Sequence, residues 1–347
     1  MKRGSKPEYP LSFPEVLHNF TQSVLRDQPS DDDLLQYCAD YFAKLVESHA
    51  QADFFHYFIQ DILSGAFCIK SVRHHDCEDV YKIAECGDAG RFFILCDGHN
   101  GKQVAEFVAE EFFNKVFASE EWVKGDILKA FEVACDRIED YMVREDGAKP
   151  PEGGREPDRQ KRRTVKALER GSCAVFAVVR DGVLYVGNVG DSRCVRVVRN
   201  RKSGKVSGVA MNTDHKATNK DEQKRLEQDG IKVSGGRVLS ILAVSRSFGD
   251  LIMKECRGKG VTCIPEVRAH KLSKPEDEDE DIALVLATDG LWDVMSNDEA
   301  ADMAAQQLES SHGSCTAAAR AIVEEAKKRE SADDITALVV SLRRFSS

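Results

Sequence analysis

The chain has 347 residues, of which 42% are hydrophobic and 31% are charged. This composition is typical of soluble globular domains, so it excludes a fibrous repeat and a chain that is disordered throughout. The formal net charge is −10, from 49 basic and 59 acidic residues. That balance argues against binding a phosphate backbone over the whole surface, so we expect no nucleic-acid partner.

The apolar runs and the cysteines indicate the environment of the protein. The longest apolar runs, residues 173–179 and 282–287, are far shorter than the roughly 20 residues that span a bilayer. The first residues lack the apolar stretch of a secretory signal peptide. Eleven cysteines occur without a Cys-x-x-Cys pair, which indicates reduced thiols rather than a disulfide scaffold or a zinc ribbon. We therefore expect a cytoplasmic protein without membrane insertion.

Residues 1–50 contain two amphipathic helical patterns. Apolar residues recur at helical spacing over residues 16–25 and again over residues 34–46. Pro29 ends the first pattern, and Ser30 or Asp31 can cap the second helix. A helical hairpin of fewer than about 50 residues buries too little apolar surface to fold alone. We expect a second copy of the hairpin to supply the missing core.

From residue 65 onwards, short apolar strands alternate with amphipathic helices. The predicted strands are residues 66–72, 92–96, 173–179, 183–187, 193–198, 282–287 and 335–342. The predicted helices are residues 104–116, 127–143, 220–228, 297–308 and 315–328. Asp181-Gly182 predicts a tight hairpin between two of the strands. Hairpins with helices in pairs favour an α+β fold, with antiparallel sheets covered by helices, over a doubly wound parallel fold.

Two stretches differ from the rest in composition. Residues 143–170 hold two consecutive prolines and a basic cluster without apolar periodicity, which predicts a solvated loop. Residues 276–281 are all acidic, and such a run repels itself and favours the surface. We predict a turn there, directly before the strand at residues 282–287. A functional acidic patch is the alternative.

Acidic residues stand at four predicted strand ends. These are Glu78-Asp79 after the first strand, Asp97-Gly98 after the second, Asp289-Gly290 after residues 282–287, and Asp333-Asp334 before the last strand. Each Asp-Gly pair alone is equally well explained as a turn. Together the four sites predict one oxygen-rich cluster, because Mg²⁺ and Mn²⁺ prefer carboxylate, carbonyl and water ligands.

The four sites match, in order and spacing, the metal-dependent serine/threonine protein phosphatases of type 2C. Residues 65–345 resemble this family, with further motifs at residues 171–172, 189–193, 214–216 and 243–250. The resemblance implies a central antiparallel β-sandwich flanked by helix pairs, in α-β-β-α layers. It also implies an enzyme that hydrolyses phosphoserine and phosphothreonine, and therefore phosphorylated protein substrates.

The resemblance further implies a binuclear Mg²⁺ or Mn²⁺ centre bridged by a water, which attacks phosphorus in line without a phosphoenzyme. The implied metal ligands are Glu78, Asp79, Asp97, the Gly98 carbonyl, Asp289 and Asp333. Asp97 would bridge the two ions. Asp191 and Asp293 stand where some family members bind a third, weaker ion, and both are equally explained as turn or capping residues. Asp333 and Asp334 compete for one ligand position, for which the family pattern favours Asp333.

Three residues are candidates for direct contact with the substrate. His99 is close enough to the bridging aspartate to protonate a leaving seryl or threonyl oxygen, or it only hydrogen-bonds a metal carboxylate. The family pattern Arg-x-x-x-Glu-Asp puts His74, not Arg73, at the position of the phosphate-binding arginine. Either a bulge re-aims Arg73 or His74 faces the phosphate. We favour Arg73, because a guanidinium binds phosphate bidentately and stays charged.

Residues 9–48 resemble the dimerisation/docking domain of type II regulatory subunits of cAMP-dependent protein kinase. Motifs at residues 9–10, 14–17, 24–29 and 41–45 carry the resemblance. It implies a homodimer and an amphipathic anchoring helix as partner, hence anchoring to a scaffold or cytoskeletal structure, with residues 49–64 as a connector. The alternatives are a helical extension packed on its own catalytic domain, and a pseudophosphatase or scaffold that mainly binds partners. The presence of Asp97, Asp289 and Asp333 argues against a pseudophosphatase.

Overall fold

The computed structural model describes residues 64–70, 76–85, 91–146, 167–255 and 260–342. The strands in these ranges are β1 (Ser64–Ile69), β2 (Asp79–Glu85), β3 (Arg91–His99), β4 (Gly171–Arg180), β5 (Val183–Val189), β6 (Arg193–Asn200), β7 (Val206–Ala210), β8 (Val233–Ser234), β9 (Arg237–Val238), β10 (Phe248–Gly249), β11 (Glu266–Lys271), β12 (Asp279–Ala287) and β13 (Ile335–Ser341). The helices are α1 (Gln103–Phe117), α2 (Glu120–Lys124), α3 (Ile127–Asp146), α4 (Lys220–Gln228), α5 (Leu251–Glu255), α6 (Asp289–Trp292), α7 (Asn297–Ser310) and α8 (Cys315–Lys328). The predictions for the N-terminal hairpin, for Arg73 and for His74 lie outside the described residues.

Two antiparallel sheets dominate the described part of the chain. The first has the strand order β1-β13-β12-β6-β7, and the second has the order β11-β5-β4-β3-β2, with β10 paired to β4. Helices cover the outer face of each sheet. The predicted α+β fold, an antiparallel sandwich flanked by helix pairs, is confirmed. None of the helices that the structure describes is long and apolar enough to cross a membrane.

The alternation of side chains along β3 builds two of the layers. Phe93 and Leu95 pack between the sheets, against residues of β12 and β13. Phe92 and Ile94 point the other way and pack against α1 and α3. Because both faces of this strand are buried, its sequence is a continuous apolar run rather than an alternating one.

The predicted hairpin between β4 and β5 is confirmed by the register of the two strands. Arg180 pairs with Val183, so Asp181 and Gly182 form a two-residue loop. Both loop residues have positive φ, 51° and 71°. That conformation belongs to the tight turn whose twist matches a hairpin, and it explains the Asp-Gly sequence.

The acidic run at residues 276–281 differs from the prediction. β12 begins at Asp279, so the last three acidic residues belong to the strand. Asp281 is fully buried, forms an ion pair with Arg196 and accepts a hydrogen bond from the backbone N–H of Ser273 at 2.8 Å. The prediction of a surface turn is wrong for Asp281, because a cation and a backbone donor compensate its burial.

The predicted loop at residues 143–170 is shorter than expected at both ends. α3 continues to Asp146. Ala167 is completely buried in the core that includes α1 and α3. Residues 147–166 lie outside the described ranges, so the prediction for that part is untested.

Candidate metal centre

Acidic side chains from both sheets converge on a cleft of about 700 Å³. Its acidic lining comprises Glu78, Asp97, Glu169, Asp191, Asp250, Asp289, Asp333 and Asp334. Apolar side chains contribute as well, among them Ile241, Leu242, Ile252 and Met253. The cleft therefore combines many negative charges with an apolar portion.

Three carboxylates form a tight group in this cleft. Asp97 lies in β3, Asp191 follows β5, and Asp289 is the first residue of α6, which Thr288 separates from the end of β12. Their carboxylate oxygens lie within 4.8 Å of one another. All three residues were predicted from the sequence as candidate metal ligands. The fold brings them together because the ends of strands from both sheets meet at this point.

The electrostatics of the three carboxylates fit a divalent cation. Burial, and after it the charges of Asp79 and Asp289, raise the pKa of Asp97 well above its usual value. Burial and the neighbouring carboxylates of Asp191 and Asp293 raise the pKa of Asp289 to about 8. Like charges this close disfavour full ionisation, and a hard cation removes that penalty. The donor set, carboxylate oxygens alone, is the kind that Mg²⁺ and Mn²⁺ prefer.

Backbone hydrogen bonds connect the remaining predicted ligands. The Gly98 N–H donates to the Glu78 carbonyl at 3.2 Å, and the Glu78 N–H donates to Asp334 Oδ2 at 2.9 Å. The Asp334 N–H donates to Asp333 Oδ1 at 2.9 Å. A Cβ at Gly98 would lie 2.7 Å from the Glu78 carbonyl oxygen, so this close approach requires glycine. The start of β2, the end of β3 and the start of β13 thus share one site.

Asp79 belongs to a second group of residues. Although it is opposite Asp97 in the β2–β3 register, its carboxylate accepts a hydrogen bond from Thr288 Oγ1 at 3.2 Å. One of its oxygens lies within 4.8 Å of the sulfurs of Cys68 and Cys77. The hydrogen bond with Cys77 lowers the pKa of Cys68 to about 7. This group was not predicted, because Cys68 and Cys77 are nine positions apart and belong to no recognised motif.

His99 forms a hydrogen bond that the sequence analysis missed. Its Nε2 lies 2.8 Å from Asp250 Oδ2, and Ser247 Oγ donates to the same oxygen at 2.6 Å. Burial opposes protonation of His99, but the hydrogen bond and charge of Asp250 outweigh it and raise the pKa of the imidazole. Any Cβ at Gly171 would collide with both partners of the His99–Asp250 bond. Asp250 and Gly171 both lie in motifs of the resemblance, which was the available signal.

The two residues considered for a third ion have different surroundings. Asp191 is buried, and its Oδ1 accepts a hydrogen bond from Cys173 Sγ at 3.3 Å. Asp293 is exposed, and its Oδ1 lies 2.6 Å from Lys216 Nζ. Within the described residues, Asp191 lines the cleft and Asp293 does not. Lys216 lies in the motif at residues 214–216, but its pairing with Asp293 was not predicted.

Comparison with known proteins gives two family matches. Residues 63–335 match the family model described as protein phosphatase 2C, and residues 12–50 match the model described as regulatory subunit of type II PKA R-subunit. The probable protein phosphatase 2C 76 of Arabidopsis thaliana is 32% identical over 293 residues, which cover 81% of this chain and 59% of that protein. The integrin-linked kinase-associated serine/threonine phosphatase 2C of Homo sapiens is 29% identical over 262 residues, which cover 72% of this chain and 62% of that protein. The chain spans less than two thirds of the length of these two relatives.

Solved structures share the fold. The serine-threonine phosphatase 2C from Toxoplasma gondii matches with a TM-score of 0.65 at 22% identity, covering 80% of this chain and 94% of that one. A C. elegans sex determining protein matches with a TM-score of 0.63 at 19% identity, covering 81% of this chain and 64% of that one. The family model matches most of the sequence. The matched residues include the acidic cleft and both sheets, except for β13, of which they include only the first residue. The chain belongs to the protein phosphatase 2C family.

Proposed function

We propose that the chain is a metal-dependent protein phosphatase that hydrolyses phosphoserine and phosphothreonine in other proteins. The observation that carries this proposal is the group of Asp97, Asp191 and Asp289, whose oxygens lie within 4.8 Å of one another in a cleft of about 700 Å³. A cleft of this volume can admit a phosphorylated side chain with its neighbouring backbone. The names of the similar proteins support the same activity.

We propose that two Mg²⁺ or Mn²⁺ ions bind in this cleft. Asp97 would be shared between them, Glu78 and the Gly98 carbonyl would serve one ion, and Asp289 and Asp333 the other. When bound, such ions supply a water of lowered pKa and clamp the attacking and transferred oxygens. The raised pKa values of Asp97 and Asp289 support this role, because a nearby cation favours the ionised form that burial and like charges disfavour.

Contacts within the chain divide the remaining acidic residues by role. Asp334 Oδ2 accepts the Glu78 N–H, and the family pattern favours Asp333 as the ligand, so we assign Asp334 to holding the Glu78 backbone and Asp333 to the metal. Asp79 faces Thr288, which favours a supporting role rather than direct ligation. Asp293 is paired with Lys216, so a third ion there must compete with the lysine for the carboxylate. Such competition fits a weak third site.

We assign His99 to the leaving group. A seryl or threonyl alkoxide is a poor leaving group, and a proton donor in the cleft lowers that barrier. When His99 is protonated, Nε2 donates to Asp250, and Nδ1 carries a second proton that can go to the substrate oxygen. Asp250 then acts as a positioning residue, because it fixes the plane of the imidazole.

The proposals for the N-terminal region and for Arg73 depend on the sequence. The match of residues 12–50 to the regulatory-subunit model supports a hairpin that dimerises and binds an amphipathic helix of an anchoring protein. Arg73 would bind the substrate phosphate, with His74 as the alternative. The cytoplasmic location, the anchoring to a scaffold or cytoskeletal structure, and the domain bounds at residues 9–48, 49–64 and 65–345 stay predictions.

Phosphate release from a phosphothreonine peptide tests the proposed function. The purified full-length protein should release phosphate with Mn²⁺ present, stop in excess EDTA and recover when Mn²⁺ is restored. Asp289→Asn should lower the rate by about 100-fold or more, because it removes a metal ligand. Asp302→Asn is the matched control, since Asp302 is exposed on α7 away from the cleft lining. Release that persists in EDTA, or no release with Mn²⁺, contradicts the proposal.

A further inference from the structure

Two cysteine sulfurs lie in contact beside the cleft. Cys68 is in β1, and Cys77 directly precedes Glu78. Their Sγ atoms are 3.2 Å apart. A disulfide needs a sulfur–sulfur distance of about 2.05 Å, so a small approach of the two side chains joins them.

Solvent exposure separates this pair from the other cysteines of the described ranges. Cys68 is exposed and Cys77 is partly exposed. The remaining six, which are Cys96, Cys135, Cys173, Cys194, Cys263 and Cys315, are buried. A small water-soluble oxidant therefore reaches the adjacent pair more readily than any of these six, and a sulfenic acid formed there has a second thiol in contact with it.

We propose that Cys68 and Cys77 are a peroxide-sensitive dithiol, and that their intramolecular disulfide weakens metal binding in the adjacent cleft. The effect on metal binding rests on the proposed function of that cleft. Formation of the disulfide does not, since it depends only on the two sulfurs and their exposure.

The chemistry needs only hydrogen peroxide as oxidant. One thiolate attacks a peroxide oxygen, the O–O bond breaks, and the products are a sulfenic acid and hydroxide, which takes up a proton to become water. The second thiol attacks the sulfenic sulfur, its S–H proton goes to the departing hydroxyl, and a second water leaves. Two thiols lose two electrons and two protons, and one peroxide becomes two waters. A dithiol reductant reverses the bond by exchange.

The position of Cys77 connects this bond to the metal site. β1 pairs with β13 along its whole length, so Cys68 is held by the sheet. Closing the sulfur–sulfur distance from 3.2 Å to about 2.05 Å therefore draws Cys77 towards β1. Cys77 is bonded to Glu78, whose N–H donates to Asp334 Oδ2 and whose carbonyl accepts from Gly98. A shift of this backbone disturbs residues that we assign to one metal ion and its support.

Peptide mapping tests the bond independently of activity. The reduced, metal-free, full-length protein is treated with hydrogen peroxide, desalted, alkylated and digested with trypsin. Trypsin cleaves after Lys70 and Arg73, both between the two cysteines, so the disulfide links two separate peptides. A non-reducing denaturing gel separates a bond within one chain from a bond between chains. Cys68→Ser and Cys77→Ser each remove the bond, and Cys86→Ser is the matched control that leaves the pair intact.

Calorimetric titration with Mn²⁺ tests the consequence. After peroxide treatment of the wild type and of Cys86→Ser, we expect the linked peptide within single chains. We also expect the Kd for Mn²⁺ of the oxidised protein to be higher by about tenfold or more than that of the reduced protein. Dithiothreitol should reverse both effects. Neither effect should occur in Cys68→Ser or Cys77→Ser. Absence of the linked peptide, linkage only between chains, or linkage with an unchanged Kd overturns the inference. If linkage and the Kd shift occur but neither form releases phosphate from a phosphopeptide, the inference is supported and the proposed activity fails.

Discussion

His99 Nε2 lies 2.8 Å from Asp250 Oδ2, although the two residues are 151 positions apart in the chain. Asp250 itself has a positive φ of 49°, a conformation that non-glycine residues seldom adopt. Its backbone N–H donates to the Arg170 carbonyl at 2.8 Å, which helps to hold that conformation. The structure thus fixes the carboxylate that orients the histidine.

The role of His99 can be tested by changing the leaving group. His99→Gln should lower kcat for a phosphothreonine peptide by about 100-fold or more, because the alkoxide then departs without a proton. With p-nitrophenyl phosphate, whose leaving group needs no proton, the loss should be less than about tenfold. His312→Gln is the matched control, since His312 is an exposed histidine between α7 and α8. Equal losses on both substrates would favour a histidine that only supports a metal ligand.

The buried Asp281 predicts a loss of stability in acid. Burial alone would raise the pKa of Asp281, but its contacts with His270, Ser273 and Arg196 outweigh it and lower the pKa to about 2. The unfolded value is about 3.9, so this contribution is complete above about pH 4 and disappears as the pH falls towards 2. At neutral pH this contribution to the free energy of unfolding is about 2–3 kcal/mol.

Urea unfolding of Asp281→Asn between pH 2 and pH 7 checks this account. At pH 7 the free energy of unfolding should fall by about 3–5 kcal/mol, because Arg196 keeps its charge without a partner. The acid-dependent loss between pH 4 and pH 2 should also become smaller. Asp279→Asn, at an exposed position of the same strand, should change stability by less than about 0.5 kcal/mol. A similar loss in both variants would show that the ion pair is not the cause.

Local patterns predicted the elements that are buried on one or both faces. α8 has the predicted bounds, because its apolar residues repeat at helical spacing. α4 also has the predicted bounds, although Leu226 is its one apolar residue, and the side chain of Asn219 caps its first turn. β2, β7 and β11 were not predicted. The residues of β7 and β11 are only partly buried or exposed, so their sequences lack the apolar signal of a core strand.

Long-range pairing explains what the sequence could not show. Asp281 was expected on the surface because it belongs to an acidic run, and its partner Arg196, which compensates its burial, is 85 positions away. The bond of His99 to Asp250 and the contact of Cys68 with Cys77 likewise join residues from different elements or segments. Six acidic residues of the cleft were recognised because each one stands in a local motif: Glu78, Asp97, Asp191, Asp289, Asp333 and Asp334. Their distances from one another required the fold. Glu169 and Asp250 were not recognised as site residues.

The phosphate contact distinguishes Arg73 from His74. Arg73→Ala should raise KM for a phosphopeptide by about 10- to 100-fold, which corresponds to a charge-assisted contact of about 1.5–3 kcal/mol. The Kd for Mn²⁺ should not change, and His74→Ala should have a small effect. Steady-state kinetics on the two variants gives the answer. The reverse pattern would assign the phosphate to His74.

The N-terminal hairpin predicts a dimer. Deleting residues 1–50 should convert a dimer into a monomer in sedimentation experiments, because pairing of two hairpins hides their apolar stripes. Hydrolysis of a phosphopeptide should remain nearly unchanged. A full-length protein that sediments as a monomer at micromolar concentration, or a truncated protein without activity, would favour a hairpin packed on its own catalytic domain.

Anomalous scattering from crystals grown with Mn²⁺ tests the central claim, that the carboxylates of Asp97 and Asp289 hold two metal ions. We predict two manganese peaks in the cleft, about 3.5–4 Å apart, with Asp97 between them. Crystals of Asp97→Asn should lose at least one peak, whereas Asp302→Asn should keep both. No manganese peak beside Asp97 and Asp289 in the wild-type protein would contradict the account.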